Sequence, residues 1–108
     1  MTTSAGGEGF VTVACLTDIP VGTMKCVELN GKPIALCNVE GQIFAIGNVC
    51  THDGGPLSGG LLDEHAVECP RHGARFDVRS GKVLCLPAAI PIPTYQVQID
   101  GDVVKVKS

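Results

Sequence analysis

The chain has 108 residues, with 14 glycines, 7 prolines and a formal net charge of −3. This length and turn-rich composition favour a single domain spanning residues 1–108. The Lys and Arg residues form no basic run of the kind that nucleic-acid binding requires, so we expect no nucleic-acid partner. The first residues do not resemble a signal peptide, and no apolar run reaches about 18 residues. We therefore expect a cytoplasmic protein that does not associate with a membrane.

Short runs rich in β-branched residues, separated by Gly, Pro, Asn and Asp, predict strands along most of the chain. The turn sequences NGK, EGQ and DGD between some of these runs indicate hairpins. We expect an all-β fold, a small antiparallel β-sandwich or barrel, with residues 1–8 flexible and a loop-like segment over 48–62. The predicted strands, in chain order, are 10–15, 24–29, 32–39, 42–47, 65–68, 75–77, 83–86, 94–99 and 103–107.

The six cysteines fall into two groups. A disulfide framework would require a secreted context, which the start of the chain does not indicate. Four cysteines lie in apolar stretches and are expected to be small buried core residues: Cys15, Cys26, Cys37 and Cys85. The other two, Cys50 and Cys69, are each followed within three residues by a histidine.

The segments CTHDGGPLSGG and CPRHGARF carry the pattern C-x-H-x16-C-x-x-H, formed by Cys50, His52, Cys69 and His72. Two thiolates and two imidazoles suit either tetrahedral zinc or an iron–sulfur cluster. Zinc fingers usually pair like ligands on each arm, whereas here each arm carries one cysteine and one histidine. If the two arms face each other, the cysteines could bind one iron and the histidines the other, as in Rieske centres.

The chain resembles the Rieske-type [2Fe–2S] ferredoxins over nearly its whole length. The resemblance is carried by three segments in the order that this family shows: GQIFAIGNVCTHDGGPLSGG, ECPRHGARFDVRSGKV and GDVVKV. The resemblance implies one Rieske-type [2Fe–2S] cluster, with Cys50 and Cys69 on the inner iron and His52 and His72 on the outer iron. It places the cluster-binding part at about residues 47–86, in loops mounted on the β-scaffold. It also implies that the proline-containing segment LPAAIPIP covers the cluster, with Pro87 as a contact.

Four positions distinguish the chain from the high-potential branch of this family, which works in cytochrome bc complexes. That branch has a disulfide between the two loops, where this chain has Gly55 and Arg71. It also has a serine and a tyrosine that donate hydrogen bonds to the cluster, where this chain has Ala74 and Phe76. Since such donors stabilise the reduced state, their loss predicts a potential at the low end of the Rieske range, about −150 mV.

The resemblance implies a one-electron carrier and not an enzyme. Only His65 remains beside the predicted ligands, so the chain cannot build a second iron site of two histidines and a carboxylate. No nucleophile, base and orienting group are recognisable as a set. The implied carrier is a monomer that passes electrons from a flavin-containing NAD(P)H reductase to the terminal oxygenase of an aromatic-ring-hydroxylating dioxygenase.

Three alternatives stay open at this point. The chain could be the small Rieske-like subunit of an assimilatory NAD(P)H nitrite reductase, a family with a similar sequence frame. It could be a structural zinc-binding module, because the ligand types alone also suit zinc. It could finally be a detached oxygenase domain, which would need a partner chain to supply the catalytic iron.

Overall fold

The structure, a computed structural model, describes residues 9–51, 54–70, 73–86 and 90–107. These residues form ten β-strands and one turn of 3₁₀ helix at Leu16–Asp18. The strands are β1 (Phe10–Cys15), β2 (Met24–Leu29), β3 (Lys32–Val39), β4 (Gln42–Gly47), β5 (Leu61–Asp63), β6 (Ala66–Glu68), β7 (Arg75–Asp77), β8 (Val83–Cys85), β9 (Thr94–Asp100) and β10 (Val103–Lys107). The predicted all-β fold is confirmed.

The strands form two antiparallel sheets. The six-stranded sheet has the order β1-β10-β9-β4-β3-β2, and the four-stranded sheet has the order β5-β6-β7-β8. The larger sheet curls, so that its end strands β1 and β2 lie near each other. The chain leaves this sheet after β4 and returns in β9, which pairs with β4 through Ala45–Tyr95 and Ile46–Thr94. The smaller sheet and its loops are therefore one insertion between two neighbouring strands.

Three two-residue turns join the hairpins of the larger sheet, where the sequence predicts them. Leu29 pairs with Lys32, Val39 with Gln42, and Asp100 with Val103. At the first two turns both central residues have positive φ, which is the backbone of a type I′ turn. The register of the larger sheet thus follows from local turn chemistry.

Two buried clusters of side chains meet at β3. Ile34 and Leu36 belong to a core inside the curled sheet, together with Val104 and Val106 from β10. Ala35, Cys37 and Val39 face the other way, into a core shared with the four-stranded sheet. Because β3 is covered on both faces, its sequence is continuously apolar over most of its length and does not alternate.

The prediction that four cysteines are buried core residues is wrong for three of them. Only Cys37 is buried, whereas Cys15, Cys26 and Cys85 are exposed. The reason is their position on strands β1, β2 and β8, each of which is the outermost strand of its sheet. An apolar stretch on such a strand is covered on one face only. Burial of Cys37 raises the pKa of its thiol to about 12, so that thiol stays protonated at neutral pH.

Some strand ends differ from the sequence prediction, and one strand was missed. β6 begins at Ala66, β8 ends at Cys85 and β9 extends to Asp100. The missed strand, β5, lies in a segment predicted as loop because it follows four glycines and a proline within nine residues. Across the described residues, no helix is long and apolar enough to span a membrane.

Candidate metal centre

The first predicted ligand loop follows β4 and begins at a buried cysteine. The N–H of Cys50 donates to the carbonyl of Gly55 at 2.7 Å, and the N–H of Gly54 donates to the carbonyl of Cys50, also at 2.7 Å. Gly54 has φ +79°, a conformation that glycine adopts without strain. These two hydrogen bonds close residues 50–55 into a tight loop.

The second loop connects β6 to β7 and is closed in the same way. The N–H of Cys69 donates to the carbonyl of Ala74 at 2.7 Å, and the N–H of Gly73 donates to the carbonyl of Cys69 at 3.2 Å. Gly73, at φ +77°, occupies the same place in its loop as Gly54 in the first. The two loops therefore share the same pair of closing hydrogen bonds and the same positive-φ glycine, with the cysteine first and the glycine fifth of six residues.

The twin loops bring their cysteines into one buried cluster. Cys50 is 0 % exposed and Cys69 is 1 % exposed, and both belong to the core that the two sheets share. No disulfide joins any of the six cysteines, all of which lie in the described part of the chain. His52 and His72, the other two predicted ligands, lie outside the described residues, as does Arg71.

The chemistry of this pair of thiols fits an iron–sulfur cluster. Thiolates are the soft ligands that such clusters use, and each loop contributes one cysteine to the same buried core. Gly55, Ala74 and Phe76 are all buried, and none of them has a hydroxyl group. The hydrogen-bond donors expected in high-potential relatives are therefore missing at Ala74 and Phe76.

Residues 90–93, the last part of the segment predicted to cover the cluster, lie beside the first loop. The hydroxyl of Thr51 donates to the carbonyl of Ile90 at 2.6 Å, and the N–H of Gly47 donates to the carbonyl of Pro93 at 2.9 Å. Ile92 is buried in the same core as the two cysteines. Residues 90–93 thus run alongside the loop of Cys50, while Pro87 lies outside the described residues.

Asn48 is a functional candidate that the sequence analysis missed. Its side chain is buried, at 4 % exposed, and its Oδ1 accepts hydrogen bonds from the N–H groups of Leu57 and Ser58, both at 2.8 Å. Its Nδ2 donates to Ser58 Oγ at 3.0 Å and to Cys26 Sγ at 3.2 Å. The only sequence signal is an asparagine at the junction between a strand and a long loop.

Charged residues near the loops pair with one another on the outer side of the four-stranded sheet. Arg75 on β7 forms ion pairs with Asp63 on β5 at 3.0 Å and with Glu68 on β6 at 3.4 Å. Asp77 binds Arg79 at 2.9 Å, and this hydrogen bond holds the pKa of the Asp77 carboxyl below its ordinary value. The two Arg75 pairs join neighbouring strands, whereas Asp77 and Arg79 lie in one turn. Exposed ion pairs of this kind add little stability.

The sequence profile of the Rieske [2Fe–2S] domain matches residues 9–96. The chain belongs to the Rieske [2Fe–2S] domain family. The match spans both ligand loops and most of both sheets, so it covers the fold and the site together. It confirms the predicted family resemblance and the predicted cofactor, one Rieske-type [2Fe–2S] cluster. The cysteines and histidines of the two loops suited either zinc or an iron–sulfur cluster. The family match favours the iron–sulfur cluster over a structural zinc site.

Individual members of the Rieske family are similar to this protein over nearly the full chain. The ferredoxin component of the naphthalene 1,2-dioxygenase/salicylate 5-hydroxylase systems of Ralstonia sp. is 47 % identical over 94 residues, covering 87 % of this chain and 90 % of its own. Among solved structures, the ferredoxin of carbazole 1,9a-dioxygenase from Nocardioides aromaticivorans IC177 superposes with a TM-score of 0.88 at 31 % identity, covering 91 % of this chain and 96 % of its own.

A second solved Rieske structure was determined in an assembly. It is described as a complex of reduced oxygenase and oxidized ferredoxin in carbazole 1,9a-dioxygenase, and the matching chain has a TM-score of 0.87 at 32 % identity. The match covers 93 % of this chain and 94 % of that chain.

Proposed function

We propose that this protein is a one-electron carrier that delivers electrons to the terminal oxygenase of an aromatic-ring dioxygenase. The observation that carries the proposal is the 47 % identity to a ferredoxin component over 90 % of that protein's length. That relative is named as a ferredoxin component and not as a catalytic subunit, in agreement with the expectation that this chain is not an enzyme. Bound between the two loops, the cluster would supply one-electron oxidation and reduction.

The proposed ligands are Cys50 and Cys69 for the inner iron and His52 and His72 for the outer iron. The two cysteines support this assignment through their burial and their matching loops. The spacing C-x-H in one loop and C-x-x-H in the other places each histidine inside the same six-residue loop as its cysteine. The proposed cluster-binding part is residues 47–86 of a single domain spanning 1–108.

We also propose a low reduction potential for this centre, about −150 mV, at the low end of the Rieske range. Ala74 and Phe76 cannot donate hydrogen bonds from their side chains, so added negative charge on the cluster is stabilised less than in high-potential relatives. A low potential suits a carrier that must reduce the next protein in a chain.

The proposed partners are a flavin-containing NAD(P)H reductase as donor and a terminal Rieske non-haem iron oxygenase as acceptor. The oxygenase is supported by the carbazole 1,9a-dioxygenase assembly, in which a similar ferredoxin is bound to its oxygenase. The proposed site of action is the cytoplasm, with the carrier acting as a monomer. The alternative of a nitrite reductase small subunit has weaker support, because the relatives at 43–47 % identity are ferredoxin components of dioxygenase systems.

Reconstitution tests this function. Purified protein is mixed with NADH, a flavin-dependent ferredoxin reductase and the terminal oxygenase of the naphthalene 1,2-dioxygenase system, and hydroxylated product is measured. We expect product only when all three proteins are present. The ferredoxin of the Ralstonia system serves as the positive control. Product with that ferredoxin and none with this protein would contradict the proposed role.

A histidine exchange tests the ligand assignment. We expect His52→Cys to shift the EPR signal of the dithionite-reduced protein from the low average g value of a mixed Cys/His cluster towards that of an all-cysteine cluster, or to abolish it. The reason is that thiolate and imidazole place different charge on the iron. His65→Cys is the matched control, because His65 lies beside the Phe44 ring, 5.7 Å away between centroids, and outside both loops. The same signal in both variants and the wild type would exclude His52 as a ligand.

A further inference from the structure

We propose that Asn48 is the positioning residue of the first ligand loop. Its side-chain amide joins the two ends of the segment from Asn48 to Ser58, which carries Cys50, and so determines how firmly the cluster is held and at what potential. The inference rests on the proposed ligand assignment. It assigns a role to a residue that is not itself a ligand and whose side chain acts through the backbone of Leu57 and Ser58.

The side chain of Asn48 joins the start of the loop to its end through hydrogen bonds. One carbonyl oxygen accepts from two successive N–H groups, Leu57 and Ser58, nine and ten residues further along the chain. Leu57 is fully buried, so its N–H has no access to water in this position. If Asn48 lost its oxygen, that N–H would be buried without an acceptor, which strongly favours reopening of the loop.

The amide nitrogen of the same side chain connects the loop to the larger sheet. Nδ2 donates to Ser58 Oγ and to Sγ of Cys26, which lies on β2. The backbone N–H of Asn48 donates to the carbonyl of Pro33 on β3 at 3.0 Å. Asn48 therefore connects both ends of the loop to two strands of the larger sheet, and the loop can open only if those contacts break.

Asn38 provides a matched control within the same chain. Its side chain is 5 % exposed, close to the 4 % of Asn48, and it also bridges separate backbone segments. Asn38 Nδ2 donates to the carbonyl of Ile19 at 2.6 Å, and its Oδ1 accepts from the N–H of Gly41 at 2.8 Å. These contacts join the β3–β4 turn to the residue after the 3₁₀ helix and do not involve a ligand loop. Alanine at either position removes a buried amide, but only Asn48 holds the cluster loop.

The test compares holo-protein of Asn48→Ala, Asn38→Ala and wild type. The rate of iron release to ferrozine, with ascorbate present to reduce the released iron, is measured at a temperature where circular dichroism shows all three to be folded. We expect release from Asn48→Ala to be about 10- to 100-fold faster than from wild type, the usual effect of losing a group that orients a metal ligand. Release from Asn38→Ala should stay close to the wild-type rate. Equal release from the two variants would overturn the inference.

Asn48→Asp separates positioning from general stability and remains informative if the alanine variant does not fold. A carboxylate keeps both bonds accepted from Leu57 and Ser58, so iron release should be slow again. Its negative charge near the loop should lower the reduction potential, because reduction adds negative charge to the cluster. Fast release, or an unchanged potential, would contradict the proposal. Retention of a wild-type cluster by Cys50→Ala would instead refute the ligand assignment, and this separate measurement distinguishes the two failures.

Discussion

Cys69→Ala protein should be isolated colourless and without bound iron, whereas Cys85→Ala protein should keep both its colour and its iron. Cys69 is 1 % exposed and begins the loop between β6 and β7. The proposed cluster loses one of two thiolate ligands to its inner iron when this sulfur is removed, and no other described cysteine lies in that loop. Iron and sulfide analysis with visible absorption measures the loss.

The control variant makes the same chemical change nearby. Cys85 lies on β8 opposite Arg75, which is the first residue after the second loop, but its side chain is exposed. Both variants remove a thiol and leave a methyl side chain near the second loop, so a difference between them reports ligation. Two irons per chain in Cys69→Ala protein would contradict the assignment of Cys69.

Gly60→Ala should lower the free energy of unfolding of the holo-protein by about 1–3 kcal/mol, the usual cost of overpacking. A Cβ at Gly60 would overlap the backbone carbonyl oxygen of Glu68 and would lie 3.1 Å from Cδ of Pro70. These two residues flank Cys69. Backbone atoms cannot rotate away as a flexible side chain can, so the methyl group would push the residue before β5 away from the start of the second loop.

Gly59→Ala is the adjacent control for this prediction. A Cβ at Gly59 would have no heavy atom within 4 Å, and Gly59 is exposed. Urea denaturation, followed by circular dichroism and by loss of visible absorption, should show a lower midpoint for Gly60→Ala than for Gly59→Ala. Equal denaturation midpoints for the two variants would contradict the prediction, because they would show that a methyl group at residue 60 costs no stability.

The sequence predicted the strands of the larger sheet well because its turns are encoded locally. NGK and EGQ supply residues that adopt positive φ, and these fix the register of β2, β3 and β4. β5 was missed because it follows a segment rich in glycine and proline that predicts a loop, although only two residues separate it from its partner β6. The exposure of Cys15, Cys26 and Cys85 could not be predicted, since an apolar run does not show which strand will be outermost.

The candidate site was predictable in its ligand types and not in its construction. Four residues with metal-binding side chains and a rare spacing were visible in the sequence. The twin backbone of the loops was not, because CTHDGG and CPRHGA place the histidine at different positions and share only the cysteine and the fifth-position glycine. Asn48 was also not recognisable, since its partners lie nine and ten residues away and become neighbours only when the loop closes.

The four-stranded sheet and the two predicted ligand loops form one insertion between β4 and β9. Its two ends meet where Gly47 donates to Pro93 at 2.9 Å, and the next residues on each side, Ile46 and Thr94, are already paired in the larger sheet. A segment whose ends lie this close can be exchanged without changing the distance that the scaffold must span. A replacement of residues 48–93 by the same segment of another family member should therefore leave the register of the larger sheet unchanged, provided that the new side chains pack against Ala35, Cys37 and Val39.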